Sequence, residues 1–168
     1  MRVAVTGTPG TGKTVATTRL EDRGHAVCHV NDVLREEGLY EGRDEERGSL
    51  LADIDAIEER LANFEGVIES HLAHRLPADR VVVLRCRPDV LCDRLTGRGE
   101  SAASIDENAE SEALDVILAE AVGRHGREAV YEIETTDREP RVVADGIEAV
   151  IRGDREPSAG TVDYTDYL

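Results

Sequence analysis

Val3-Ala4-Val5-Thr6-Gly7-Thr8-Pro9-Gly10-Thr11-Gly12-Lys13-Thr14 is the stretch that decides the fold of this chain. Its first three residues read as a strand, and the run from Lys13 to Gly24 reads as a helix. Between them, glycines at 7, 10 and 12 allow backbone conformations that a Cβ forbids, so that successive N–H groups can converge on one point. The helix N-terminus places its partial positive charge beneath the same point. Strand, loop and helix thus follow the order of the pattern G-x-x-x-x-G-K-[ST]. In that pattern the lysine reaches the β- and γ-phosphates of a nucleoside triphosphate and the next hydroxyl ligates Mg²⁺. The plain alternative is a glycine-rich turn joining strand to helix. Against it stands the composition: Lys13 is the only lysine among 20 basic residues, the rest being arginine. The chain keeps a compact ammonium group where a phosphate-gripping loop requires one.

Outward from this stretch, apolar runs recur between helical patterns, the signature of a parallel sheet wrapped by helices. Strands are expected at about 2–6, 26–30, 66–69, 80–85 and 129–134, and Val81-Val82-Val83-Leu84 suits a central strand buried on both faces. Helices are expected at about 13–23, 31–37, 53–63, 88–96, 106–123 and 139–151. Pro88 fits the first position of the fourth helix, and Ser104 or Asp106 is placed to cap the fifth. Gly38 to Ala52, polar and glycine-punctuated, and Gly97 to Ile105, without an apolar period, fit neither class. Loops of this kind at the carboxyl ends of strands tend to be lids or substrate flaps. The expected organisation is one α/β domain over 1–152 and a polar, disordered tail over 153–168.

With 36 acidic against 20 basic residues, the formal charge is -16, and aromatic residues make up 3%. That balance argues against a direct grip on nucleic acid, which needs clustered positive charge. It suits attraction to a basic protein. The acidic residues run from Glu21-Asp22 through Asp44-Glu45-Glu46 to Asp163, so the charge is a general surface property. Together with the loss of lysine, this suggests adaptation to high salt, where screening relieves carboxylate repulsion. Cys28, Cys86 and Cys92 are odd in number and lack C-x-x-C spacing, which suggests buried thiols rather than a disulfide framework or a zinc site. The N-terminal apolar run is too short for a signal peptide and no stretch approaches membrane-spanning length, so a cytoplasmic location is expected.

Several side chains could serve the phosphates. Glu69 ends the strand Gly66-Val67-Ile68-Glu69, where P-loop proteins commonly present an acidic group toward the Mg²⁺ waters; the alternative is a solvated strand-end carboxylate. His71, two residues on, could orient a water or a phosphate, or be structural. Arg94 and Arg98 lie four apart at the end of a helix and can face one side, as a clamp on transferring phosphoryl oxygens or as solvated cations. Arg35, in Asp32-Val33-Leu34-Arg35, could hold the α-phosphate of an acceptor nucleotide in bidentate fashion. Asp32 belongs to the same candidate acceptor site. Asp53 and Asp55 either position the acceptor or waters around it, or begin a helix as caps. A guanine-specific N-K-x-D motif needs a lysine, and the single one is already used, which weakens a GTPase reading.

In this order the residues resemble a known family, the small adenylate kinases of archaea and the eukaryotic nucleus called adenylate kinase isoenzyme 6. The resemblance runs from Val3 to about Ile151. It rests on the P-loop; on Leu34-Arg35-Glu36-Glu37-Gly38-Leu39-Tyr40-Glu41-Gly42 with Asp44-Glu45-Glu46; on Asp53-x-Asp55 and Glu69-x-His71; and on Val83-Leu84-Arg85, Arg94-Leu95-x-x-Arg98-Gly99, Glu107-Asn108 and Glu112. It implies a five-stranded P-loop nucleoside monophosphate kinase core, a monophosphate-binding segment near 29–52 and a short lid near 97–107. It implies contact of Gly10, Thr11, Gly12, Lys13, Thr14, Val15 and Arg98 with ATP, of Arg35 with AMP, and a link of Glu69 and His71 to Mg²⁺ and hydrolysis. The implied activities are ATP + AMP ⇌ 2 ADP and ATP hydrolysis. The implied partner is a basic small-subunit ribosomal protein or the small ribosomal subunit, in whose maturation the family acts. An assembly ATPase with incidental kinase activity is the rival reading, and other small P-loop kinases share the core. The family's lid usually carries Gly-Tyr and a lysine; here Gly99 is followed by Glu100 and Ser101-Ala102-Ala103-Ser104, which weakens phosphate attraction on closure.

Overall fold

The computed structural model describes residues 1–45 and 49–168, Ser49 by its backbone alone. Its strands are β1 (Arg2–Thr6), β2 (Val27–His29), β3 (Tyr40–Asp44), β4 (Ser49–Ala52), β5 (Gly66–Glu69), β6 (Arg80–Arg85) and β7 (Val130–Glu134). Five of them form a parallel sheet in the order β2-β5-β1-β6-β7. Its helices are α1 (Lys13–Asp22), α2 (Val30–Glu37), α3 (Ile54–Arg60), α4 (Pro88–Gly97), α5 (Ala102–Ala113), α6 (Val116–His125) and α7 (Pro140–Arg152).

Strand alternation divides the core into two layers. Val81 and Val83 point to the face covered by Val30 and Leu34 of α2, Ile57 of α3 and Leu118 and Ala121 of α6. Val82 and Leu84 point to the opposite face, against Ala16 and Leu20 of α1 and Val143, Ala144, Ile147 and Val150 of α7. The β-branched run of β6 is therefore apolar on both sides because both sides are covered. Every buried carbon here removes water-exposed surface at roughly 25 cal/mol per Å², which fixes the register of each strand against its neighbours. In that register Val5 of β1 stands beside Glu69 of β5, and Glu69 beside His29 of β2. The carboxyl ends of the strands thereby gather the P-loop, an acid and an imidazole along one rim.

Five expectations need correction. The stretch 38–52 is not a loop throughout: β3 and β4 pair antiparallel, Tyr40 opposite Ala52 and Arg43 opposite Leu50. Glu46, part of the acidic triplet, lies outside the described residues. The expected lid loop is helical from Ala102 onward, and the cap of α5 is Ser101, whose Oγ accepts from Ser104 N at 3.2 Å, rather than Ser104 or Asp106. Helix 106–123 is two helices, broken where Asp115 takes φ 55 in the left-handed region. A small cluster of Cys86, Leu91 and Leu95, with Val90 and Ile105 against it, fastens α5 to α4.

The tail beyond α7 is not disordered. Ser158 N donates to Val130 O at 3.0 Å on the open edge of β7, and Thr161 N donates to Glu132 Oε2 at 2.7 Å. Tyr164 is buried, its ring facing Arg85 at 5.3 Å.

Candidate active site

The loop between β1 and α1 is built on torsions that only glycine tolerates well. Gly7 has φ 147, and a Cβ there would meet Leu84 O at 2.7 Å. Gly10 has φ 93, and a Cβ would meet Leu91 Cδ1 at 2.9 Å. Thr11 N and Thr11 Oγ1 both donate to Thr8 O, at 3.2 and 2.9 Å, closing the turn. The first amides of α1 have no acceptor within their own helix and point into the loop's concavity.

Lys13 begins α1 and is 8% exposed. Its Nζ donates to Gly7 O at 2.9 Å and Thr8 O at 3.1 Å, so the ammonium is held against the main chain of the loop. Burial lowers its pKa to about 8; the charge of Glu69 opposes that fall and the charge of Arg98 deepens it. A phosphate group would reverse this balance by replacing lost solvation with two negative charges.

Thr14 Oγ1 donates to Glu69 Oε1 at 3.4 Å, which unites the expected metal-side pair. The other oxygen of Glu69 is 2.7 Å from His29 Nδ1, and His29 Nε2 lies 3.3 Å from Glu21 Oε1. Burial works against a charged His29, but the hydrogen bonds and charges of Glu69 and Glu21 outweigh it and raise the pKa. A hydroxyl and a carboxylate form the oxygen-only donor set that Mg²⁺ accepts when phosphates and waters complete its shell. Among the described residues no cluster of three His, Cys, Asp or Glu side chains could hold a metal by itself. His71 is held by burial at about 4, the charge of Lys13 pushing the same way, so its imidazole is neutral at pH 7.

A cleft of about 410 Å³ opens beside the loop, lined by Gly10, Thr11, Gly12, Val15, Arg94 and Arg98 among others. All six are residues that the sequence marks for ATP contact or for the phosphoryl clamp. Arg94 Nη1 donates to Gly10 O at 3.2 Å and Nη2 to Thr135 O at 3.3 Å, so this arginine braces the loop as well as facing the cleft. Arg98 is exposed at the end of α4. The far wall adds Thr135, Arg138 and Pro140, which the sequence had not suggested. The polar turn Thr135-Thr136-Asp137-Arg138 after the last strand was the available signal, since Asp137 takes φ 54 to make it.

The acceptor candidates are more scattered. Arg35 is two-thirds exposed and paired with Asp32 one turn earlier on α2. Asp53 caps α3, its Oδ1 accepting from Ala56 N at 3.1 Å, so the capping alternative is realised; Asp55 is exposed in the first turn.

A parallel sheet of this order, with a P-loop after its central strand and helical arms on either side of the cleft, defines the P-loop kinase class of folds. The structure of shikimate kinase from Acinetobacter baumannii in complex with shikimate superposes with a TM-score of 0.61 at 17% identity, covering 92% of this chain and 94% of that one. A family model described as "AAA domain" matches residues 3–115. Proteins named "Putative adenylate kinase" are 63% identical in Natronomonas pharaonis and 61% in Halobacterium salinarum, each over 100% of both chains. One of the same name from Archaeoglobus fulgidus is 46% identical over 93% of this chain and 85% of its own. The chain belongs to this archaeal family. Among the described residues no helix is long and apolar enough to cross a membrane.

Proposed function

We propose that the protein transfers the γ-phosphoryl group of ATP to AMP, giving two ADP, in the manner of the adenylate kinase isoenzyme 6 family that its sequence resembles. The observation that carries this reading is the sole lysine, buried in the loop with its Nζ on the Gly7 and Thr8 carbonyls and in the electrostatic reach of Glu69 and Arg98. The amides of Gly10, Thr11 and Gly12 and the helix N-terminus at Thr14 and Val15 cradle the phosphates. Lys13, Arg94 and Arg98 spread positive charge over the oxygens of the moving group. Thr14 and Glu69 would hold Mg²⁺, partly through water, and the ion would supply charge neutralisation to the triphosphate. Arg35, assisted by Asp32, Asp53 and Asp55, receives the monophosphate. Binding of AMP frees Arg35 from Asp32, exchanging an exposed ion pair worth under about 1 kcal/mol for a bidentate phosphate contact. No covalent intermediate is needed: the catalysis is positioning and charge stabilisation.

A second reading is supported by His71. Its neutral imidazole stands two residues from Glu69 and within electrostatic reach of Lys13, where it can orient a water or a phosphate, which fits ATP hydrolysis alongside transfer. With a charge of -16 and a lid whose residues 100–104 carry no cation, a basic protein is the fitting partner, and we extend the proposal to a small-subunit ribosomal protein and a role in assembly of that subunit.

Phosphate transfer from ATP to a panel of monophosphates, with hydrolysis recorded in their absence and with a basic ribosomal protein added, tests both. AMP is expected as the preferred acceptor and Lys13→Ala as inactive in transfer. Retention of AMP phosphorylation by Lys13→Ala removes the assignment. Hydrolysis unaffected by the basic protein removes the second reading alone.

A further inference from the structure

Behind the P-loop lie four buried side chains that none of these roles employs: Thr8, Arg85, Glu112 and Glu132, exposed by 2%, 1%, 3% and 2%. They come from four elements and form one continuous relay. Thr8 Oγ1 donates to Glu112 Oε2 at 2.5 Å. Glu112 Oε1 accepts from Arg85 Nε at 2.6 Å, and the Glu112 carbonyl accepts from Arg85 Nη2 at 3.1 Å. Arg85 also donates to Glu132 and to Asp115, the residue whose left-handed conformation ends α5. Glu132 Oε2 in turn accepts from Thr161 N at 2.7 Å and Val162 N at 3.2 Å in the C-terminal segment. Tyr164 covers the guanidinium with its ring and donates its hydroxyl to Glu134 at 2.5 Å.

Removing this many charges from water is costly, and an apolar cluster of equal volume would hold the elements together as well or better. What an apolar cluster would not supply is a fixed direction. Both oxygens of Glu112 are committed, one to the P-loop and one to Arg85, so the carboxylate cannot turn without breaking one of them. At the P-loop end stands Thr8, whose carbonyl is the acceptor for Lys13 Nζ at 3.1 Å and for Thr11 N at 3.2 Å. At the other end stand residues 158–164, which cover the guanidinium and satisfy Glu132.

We propose that Glu112 is a positioning residue for the triphosphate: through Thr8 it sets the P-loop carbonyl that holds Lys13, and the C-terminal segment 158–164 locks the arginine that orients it. The inference rests on the P-loop reading above. It makes residues 158–164, which do not line the cleft, a determinant of nucleotide affinity. Glu112 lies on α5, the helix that follows α4 and Arg98 in the chain.

A double-mutant cycle on ATP affinity, measured by calorimetry on the full chain, tests it. Thr8→Val keeps the shape of the loop and removes only the hydroxyl at the end of the relay; it is expected to weaken ATP binding about tenfold, the size expected for losing a hydrogen bond to a charged group, and Thr8→Ser to restore it. Tyr164→Leu is expected to weaken ATP binding about threefold by itself and by nothing further in the Thr8→Val background. AMP affinity is expected to stay unchanged in every variant. If Tyr164→Leu does not fold, Tyr164→Met, which also takes the ring off the guanidinium, replaces it with the same expected pattern. Wild-type affinity in Thr8→Val, or full additivity of the two substitutions, overturns the relay. Absence of ATP binding by the wild-type protein overturns instead the P-loop reading on which it stands.

Discussion

Raising the pH from 7 to 9 is expected to weaken ATP binding while making the free protein more stable, and Lys13 is the reason for both. Its pKa falls from 10.5 in the unfolded chain to about 8 in the folded one, with burial as the main cause. A difference of that size amounts to about 3 kcal/mol of destabilisation by the charged form, at 1.36 kcal/mol per pH unit. Because the folded pKa is the lower one, the unfolded chain binds more protons between pH 8 and 10.5. Stability from this group therefore rises with pH through that window, and the whole penalty is present below it. Bound triphosphate supplies the missing countercharge and raises the pKa again, so binding takes up a proton whenever the free lysine is neutral. With a free pKa of about 8, uptake is about half a proton at pH 8, and the dissociation constant rises about tenfold between pH 7 and 9. Calorimetry in two buffers of different ionisation enthalpy counts the proton, and denaturant titration from pH 7.5 to 10.5 follows the stability. Lys13→Met is expected to abolish this contribution to the pH-dependent stability. An unchanged dissociation constant from pH 7 to 9 with no proton uptake would refute the assignment of a desolvated ammonium in the phosphate cradle.

Arg98→Ala is expected to lower kcat about a thousandfold, the lower bound for a lost arginine at a transferring phosphoryl group. Its midpoint of thermal unfolding should barely move, because the side chain is exposed. Asp53→Ala should cost about 1 kcal/mol in denaturant unfolding through loss of the α3 cap. A large rise in the KM for AMP in that variant would show that the carboxylate also serves the acceptor. Thermal unfolding followed against KCl should show stability climbing from low to molar salt, as screening relieves repulsion at a charge of -16; a flat profile would discard salt adaptation.

The parallel sheet was legible because its strands are bounded apolar runs. Val81-Val82-Val83-Leu84 is apolar on both faces, and only a central strand between two helical layers accounts for that. The β3–β4 hairpin escaped because Tyr40-Glu41-Gly42-Arg43-Asp44 alternates without an apolar face and is largely exposed. The start of α5 escaped for a related reason: its buried residues are Ala109, Glu112 and Ala113 behind Ile105, too weak in hydrophobicity to stand out of the sequence. The break at Asp115 is a tertiary effect, since Arg85 is the partner that meets that aspartate. Composition misread the tail because its polar residues are not all solvated; Glu132 accepts two of its backbone amides. Within the candidate site, the P-loop residues, Glu69 and the two arginines are singled out by spacing, and the structure gathers them around one cleft and its rim. Glu112 and Arg85 stood in the sequence only as features of a resemblance. Arg85 closing the run Val81–Leu84 and Glu132 inside Val130–Ile133 are the clue to a buried ion pair.

The sheet has two borders, and β2, only three residues long, gives one of them little to offer. The other, β7, would leave the carbonyls of Val130 and Glu132 and the amide of Glu132 open to any extended peptide that came alongside. Ser158 takes the first through its N–H and the last through its hydroxyl, while Arg155 Nη2 takes the Glu132 carbonyl at 3.2 Å. The final residues thus act as a selvage, and a chain shortened to residue 153 would be expected to associate with its own copies, strand against strand, in a concentration-dependent way.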